Sequence, residues 1–182
     1  DGTSADWIYY LEKTIRNQMG NDAVVVFLNG TAGDVTQINN MSTAPFETGE
    51  LIANRIGTAV GAEALKVFTR AQPGSLVPLD ARVEILKIPR RKPSDQRVKK
   101  AMEIVQGKVD LKSPEWLFAK DMVMADAIIQ LEPIADVEVQ AIQIGPAVFL
   151  TNPAELFCQL GLDIKNGSPF PFTYAVFLAN GC

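Results

Sequence analysis

The chain contains no histidine. Across 182 residues, that absence removes every imidazole base, every Ser-His or Cys-His pair and every histidine-based zinc site the chain could form by itself. Cysteine is scarce as well. Cys158 and Cys182 are too few for a disulfide framework, lack metal-ligand spacing and leave the redox compartment open. Cys158 falls in an apolar helical stretch and reads as a small buried hydrophobe rather than a nucleophile. No apolar run approaches the roughly 20 residues needed to cross a bilayer, so no transmembrane segment is expected. An excess of positive charge is missing too: the net charge of −4 argues against nucleic acid as a partner. The dense basic patch of Arg90, Arg91, Lys92, Arg97, Lys99 and Lys100 reads as a solvated loop and helix start. There is no internal repeat and no low-complexity linker.

What is present is ordinary for a globular protein, with 47% hydrophobic and 21% charged residues. The length fits a single domain that buries roughly 70% of the surface its unfolded form exposes. Residues 23–40, AVVVFLNGTAGDVTQINN, stand out. Their first six residues are all apolar and half of them β-branched, the pattern of a central strand buried on both faces. Asn29, Gly30, Gly33 and Asp34 follow, and Gly and Asn tolerate the positive φ angles of a sharp turn. Ligand crevices in open α/β sheets lie beyond the carboxyl ends of strands, which makes the loop carrying Asp34 and Thr36 a candidate site. A strand leaving its sheet through a glycine-rich turn is also commonplace, and Thr36 can simply bond its own backbone. On pattern alone that plainer reading is preferred. A phosphate loop is excluded, because no Lys follows the second glycine.

Elsewhere the chain alternates helical and strand signals. A helix capped by Thr3 or Ser4 runs to about Met19 and ends at Gly20, with Trp7, Ile8, Leu11 and Ile15 as its apolar stripe. A second covers about 47–69, where Gly57 and Gly61 allow close packing; Pro73 and Gly74 break the pattern. Leu79, Ala81, Val83 and Ile85 alternate as a half-buried strand should. Ser94 caps a helix to about Gln106, and Ser113 with Pro114 starts another to about Leu131; together they form a helical insert over about 90–131. The second of these carries Trp116, Phe118, Met122, Met124, Ile128 and Ile129, expected in the core. Residues 137–144 and 147–151 read as a hairpin through Gly145 and Pro146. Asn152, Pro153, Ala154 and Glu155 then open a helix, placing the Glu155 carboxylate in a first turn, where the dipole favours negative charge. A glutamate there is common and requires no function. Leu156, Phe157, Leu160 and Ile164 form that helix's buried face, and residues 174–178 form a last strand. The predicted fold is α/β: a mixed sheet with flanking helices, its central buried strand followed by the Gly/Asp/Thr loop.

Three segments, FLNGTAGDVTQ, NPAELFCQLGLDIK and SPFPFTYAVFLANG, taken in that order, resemble the catalytic domain of the neutral/alkaline non-lysosomal ceramidase family. The first resembles the family's loop of Asn29, Gly30, Gly33 and Asp34 followed by a hydroxyl residue; the second resembles its Pro-x-Glu helix start; the third resembles the strand that leads into its last site segment. The resemblance spans the chain from about Ser4 to Cys182, apart from the helical insert. It implies a zinc-dependent amidohydrolase that cleaves the N-acyl bond of a lipid or other small-molecule substrate. By motif matching, Glu155 corresponds to the family's zinc-ligand glutamate, Thr36 to a serine important for catalysis, and Asp34 to its loop neighbour. Thr36 in place of serine and Gln37 in place of proline point to a divergent bacterial-type branch with another N-acyl or ester substrate. The resemblance places the family's histidine ligands before Asp1 and its tyrosine ligand after Cys182. Residues 1–182 are therefore expected to be a single-domain fragment that needs the missing N- and C-terminal segments of the same polypeptide and does not hold zinc alone. Secretion or periplasmic export is expected from the resemblance. The rival expectation, drawn from the missing histidine, is a metal-free binding or structural module on the same scaffold.

Overall fold

A computed structural model describes residues 3–37, 39, 41–44, 48–72, 74 and 76–181. The expected helix start at 47, the break at Pro73 and Cys182 lie outside the described residues. The architecture is α/β: helices flank a four-stranded mixed sheet of order β1-β2-β3-β4. Strands β1 (Leu79–Pro89), β2 (Ile134–Ile144) and β3 (Ala147–Asn152) are antiparallel neighbours, and β4 (Phe172–Phe177) runs parallel to β3. The β2–β3 hairpin turns through Gly145, whose φ of 57° suits glycine, as the Gly-Pro signal predicts. Helix α5 (Cys158–Gly167) makes the crossover that two parallel strands require and packs on β4.

Local signals set several helix ends. Ser94 Oγ accepts from Arg97 N–H at the start of α3 (Asp95–Gln106), and Ser113 Oγ accepts from Trp116 N–H at the start of α4 (Pro114–Leu131). Both begin one residue after their predicted caps, and each packs mainly on the other. Helix α1 (Trp7–Met19) ends at Gly20 with φ 96° and packs on α2 (Glu50–Phe68). Close packing is the role of Gly57 and Gly61: a Cβ at Gly57 would collide with the Trp7 carbonyl, and one at Gly61 would lie 2.9 Å from the Leu11 carbonyl. Beside that seam, Tyr10 donates its O–H to Glu50 at 2.7 Å, and this hydrogen bond pushes the phenol up to about 12.

Burial is where the sequence expectations fail. The chain exposes 13933 Å². A compact monomer of 19.8 kDa exposes about 8,600 Å², so folding here removes about half of the unfolded surface rather than 70%. Residues 23–28 form no strand, and Val24 and Val26 are 84% and 73% exposed. Ala23, Val25 and Asn29 are half-buried, so only one face of the segment has cover. That cover includes α1, through Arg16 Nε donating to the Ala23 carbonyl at 3.0 Å and Phe27 edge-on to Trp7 at 5.1 Å. A strand buried on both faces needs a layer on each side, and no described helix lies on the other.

The sheet has the same deficit. Cross-strand partners share a face, which puts Val83, Ile85, Ile142, Phe149 and Tyr174 together. Apart from Phe149, which stacks on Tyr174 at 5.1 Å, these residues are exposed, contrary to the half-buried β1 predicted. The opposite face, against α5, holds Val148, Ala175 and Phe177, all buried. On α4, Phe118, Met124 and Ile128 are exposed where the sequence places core, because α3 covers only the side that carries Ala119.

Candidate functional site

Strands β3 and β4 end side by side, and three connecting segments meet beyond their carboxyl ends. The first is the 29–36 loop, the second the stretch between β3 and α5, and the third the tail that leaves β4. This is the position where open α/β sheets place ligand crevices.

Hydrogen bonds join the three. Phe177 N–H donates to the Asn29 carbonyl at 3.0 Å, which ties the first loop to β4. Ala179 N–H donates to the Asn152 carbonyl at 3.1 Å, which ties the β4 tail to the end of β3. Gly33 N–H donates to the Leu156 carbonyl at 3.0 Å, and Cys158 N–H donates to Asp34 Oδ1 at 2.7 Å. The last two bring together residues more than 120 positions apart. The fit is close enough to require glycine at two points. A Cβ at Gly33 would sit 2.5 Å from the Glu155 carbonyl oxygen, and one at Gly161 would overlap the Thr31 side chain.

The predicted site residues fall here, with two corrections. Helix α5 begins at Cys158, so Glu155 lies in the preceding loop and not in a first helical turn. The reason is tertiary: Phe157 is extended, with φ −72° and ψ 153°, and the Gly33–Leu156 hydrogen bond holds the backbone out of the helix. Glu155 therefore gains nothing from a helix dipole at that position. Cys158 is the half-buried, free first residue of α5 rather than an interior one, and Phe157 and Leu160 are exposed instead of forming its buried face. Gly161 takes the buried position against Thr31.

Asn29, Gly30, Gly33, Asp34 and Thr36 share one loop. Its contacts with the Glu155 to Cys158 stretch are made by Gly33 and Asp34, and Thr36 lies exposed two residues further on. Glu155 itself is exposed. Asn152 Oδ1 accepts from Ala154 N–H at 2.9 Å and shapes the turn out of β3.

Sequence reasoning missed four residues here. Leu178 and Asn180 have positive φ, 56° and 63°. Asn is at home in that region, whereas a bulky Leu costs of order 1–3 kcal/mol and is held there by its surroundings. Thr151 Oγ1, one residue before the end of β3, is buried without a protein partner. Thr31 packs on Gly161. The Asn-Gly pair at 180–181 was the available signal for the tail; nothing in the sequence marks Thr151 or Thr31. Next to the junction a groove of about 560 Å³ crosses the sheet between β1 and α5, lined by Val139, Ala141, Leu150, Ile164 and Phe177 with Arg82 and Glu84 at its edge.

No family model, curated protein or solved structure matches this chain.

Among the described residues, no three His, Cys, Asp or Glu side chains come together, and a catalytic zinc needs three protein ligands. Asp34 is already engaged by the Cys158 N–H. No helix of the described residues is long and apolar enough to cross a membrane.

Proposed function

We propose that this chain forms part of a ceramidase-like amidohydrolase acting on the N-acyl bond of a lipid-like substrate, and that the junction beyond β3 and β4 supplies one wall of its active site. The observation that carries this reading is the docking of the Gly33–Asp34 loop on the Glu155 to Cys158 stretch, which brings together the first two of the motifs on which the resemblance rests.

Amide hydrolysis adds water to the carbonyl carbon, breaks the C–N bond and delivers a proton to the departing amine. With no histidine in the chain, the exposed carboxylates at the junction are Glu155 and Asp34, of which Asp34 is engaged by the Cys158 N–H, and Thr36 brings a hydroxyl to the loop that carries Asp34. Glu155 is also the donor this chain would offer to zinc, with the other ligands coming from elsewhere in a longer polypeptide. Those added segments would cover the bare faces of the sheet and of residues 23–28.

A second reading, a metal-free scaffold, draws on Asp34: its carboxylate accepts a backbone N–H, a task that a fold without chemistry would share. Zinc content and hydrolysis of a panel of N-acyl lipids and simple esters decide between the two. The longer polypeptide is expected to hold about one zinc and to cleave an N-acyl substrate, and the 182-residue chain to do neither. A longer polypeptide that is metal-free and inert on the whole panel would replace the hydrolase reading with the scaffold.

A further inference from the structure

Helix α5 lacks a cap of its own. Its N-cap residue is Phe157, whose side chain cannot accept a hydrogen bond, and among the described residues no side chain at that position bonds the first turn. Asp34 fills the vacancy from the far end of the chain, with Oδ1 accepting the Cys158 N–H at 2.7 Å. A carboxylate at a helix start is favoured both as an acceptor for an otherwise unpaired N–H and by the dipole. One residue earlier in the loop, Gly33 donates to the Leu156 carbonyl, and its missing side chain leaves room for the Glu155 carbonyl. Thr31 closes the far side against Gly161. Residues 31–34 thus grip the backbone on both sides of Leu156 and Phe157.

The geometry points to Asp34 as a positioning residue: by capping α5 across the fold it fixes the stretch that carries Glu155, and it takes no part in proton transfer or metal binding itself. This role differs from the catalytic one that the resemblance implies for Asp34. The capping role stands on geometry alone, whereas its consequence for Glu155 rests on the amidohydrolase reading.

The test has two arms. In the 182-residue chain, amide hydrogen exchange is followed by NMR for Asp34→Ala, Asp34→Asn and Gly33→Ala, with the α1 amides as an internal reference. Asp34→Ala is expected to speed Cys158 exchange about fivefold, the usual size of a lost cap. Asp34→Asn keeps an acceptor oxygen and is expected to restore most of the protection. Gly33→Ala pushes the backbones apart and is expected to expose Cys158 with Asp34 intact. Unchanged Cys158 exchange in Asp34→Ala, with α1 as in the parent, would overturn the capping role.

The second arm measures N-acyl hydrolysis in the longer polypeptide. Rescue by Asp34→Asn relative to Asp34→Ala is expected, with the pH profile unmoved. If Asp34→Asn restores protection of Cys158 yet stays as inactive as Asp34→Ala, Asp34 acts in the chemistry and the positioning role is wrong. If no variant, the parent included, hydrolyses anything, the hydrolase reading fails, and the exchange arm alone decides the cap.

Discussion

Two parts of this molecule are built in opposite ways. The β3–α5–β4 unit with its 31–34 loop is stitched by contacts between residues far apart in sequence, and it holds the buried Val148, Ala175, Val176 and Phe177. The α3–α4 hairpin is organised by neighbours: a serine cap at each helix start, Ala101 facing Ala119's helix, and an outer side on which Leu117, Phe118, Met124, Ile128 and Leu131 meet solvent. The first gains its order from tertiary fit, and the second from the chain's own local chemistry. Nothing among the described residues lies against that outer side of the hairpin.

The largest effect expected from this contrast comes from a pair of phenylalanines. Phe177, 3% exposed, should cost about 3–5 kcal/mol on replacement by Ala, whereas Phe118→Ala, at 74% exposed, should stay within about 0.5 kcal/mol. Urea midpoints measure both, and equal losses would erase the distinction. Next comes Gly161→Ala, which drives a methyl into Thr31 and should destabilise by about 1–3 kcal/mol while loosening the 31–34 loop. A neutral outcome would mean that the loop is not seated on α5. In the hairpin, Ser113→Ala should cost about 1 kcal/mol and fray the first turn of α4 without altering amide exchange at Cys158.

The smallest effect lies outside both regions. Because Tyr10 is held up to about 12, its contribution is complete below the ordinary phenol value near 10 and is lost as pH rises through 12. Tyrosinate absorbance should therefore show one tyrosine titrating near pH 12, and Glu50→Gln should bring it back towards 10.

The same contrast explains what could be read from the sequence. Caps at Ser94 and Ser113, the terminator Gly20, the Gly145 turn and the close-packing Gly57 and Gly61 all act within a few residues or one helix pair, and each is visible as a residue type at a position. Burial is not legible in the same way, because periodicity reports which face of an element is apolar, not whether anything lies against it. Val24 and Val26, Val83 and Ile85, and Phe118 have the right pattern and no covering layer. Pro153 predicts a helix that would include Glu155, and a hydrogen bond from Gly33 moves the true start to Cys158. The cap that joins the loop to the start of α5 depends on a contact across 124 positions that no local pattern encodes.

The most direct measurement is a double-variant cycle on N-acyl hydrolysis in the longer polypeptide that the proposed function calls for, comparing Asp34→Ala, Glu155→Gln and the two combined. If Asp34 acts by aiming Glu155, removing it from a protein that has already lost the Glu155 carboxylate should change the rate little, so the two losses are strongly non-additive. Losses that simply add would contradict the account, because Asp34 would then be working independently of the residue it is held to position.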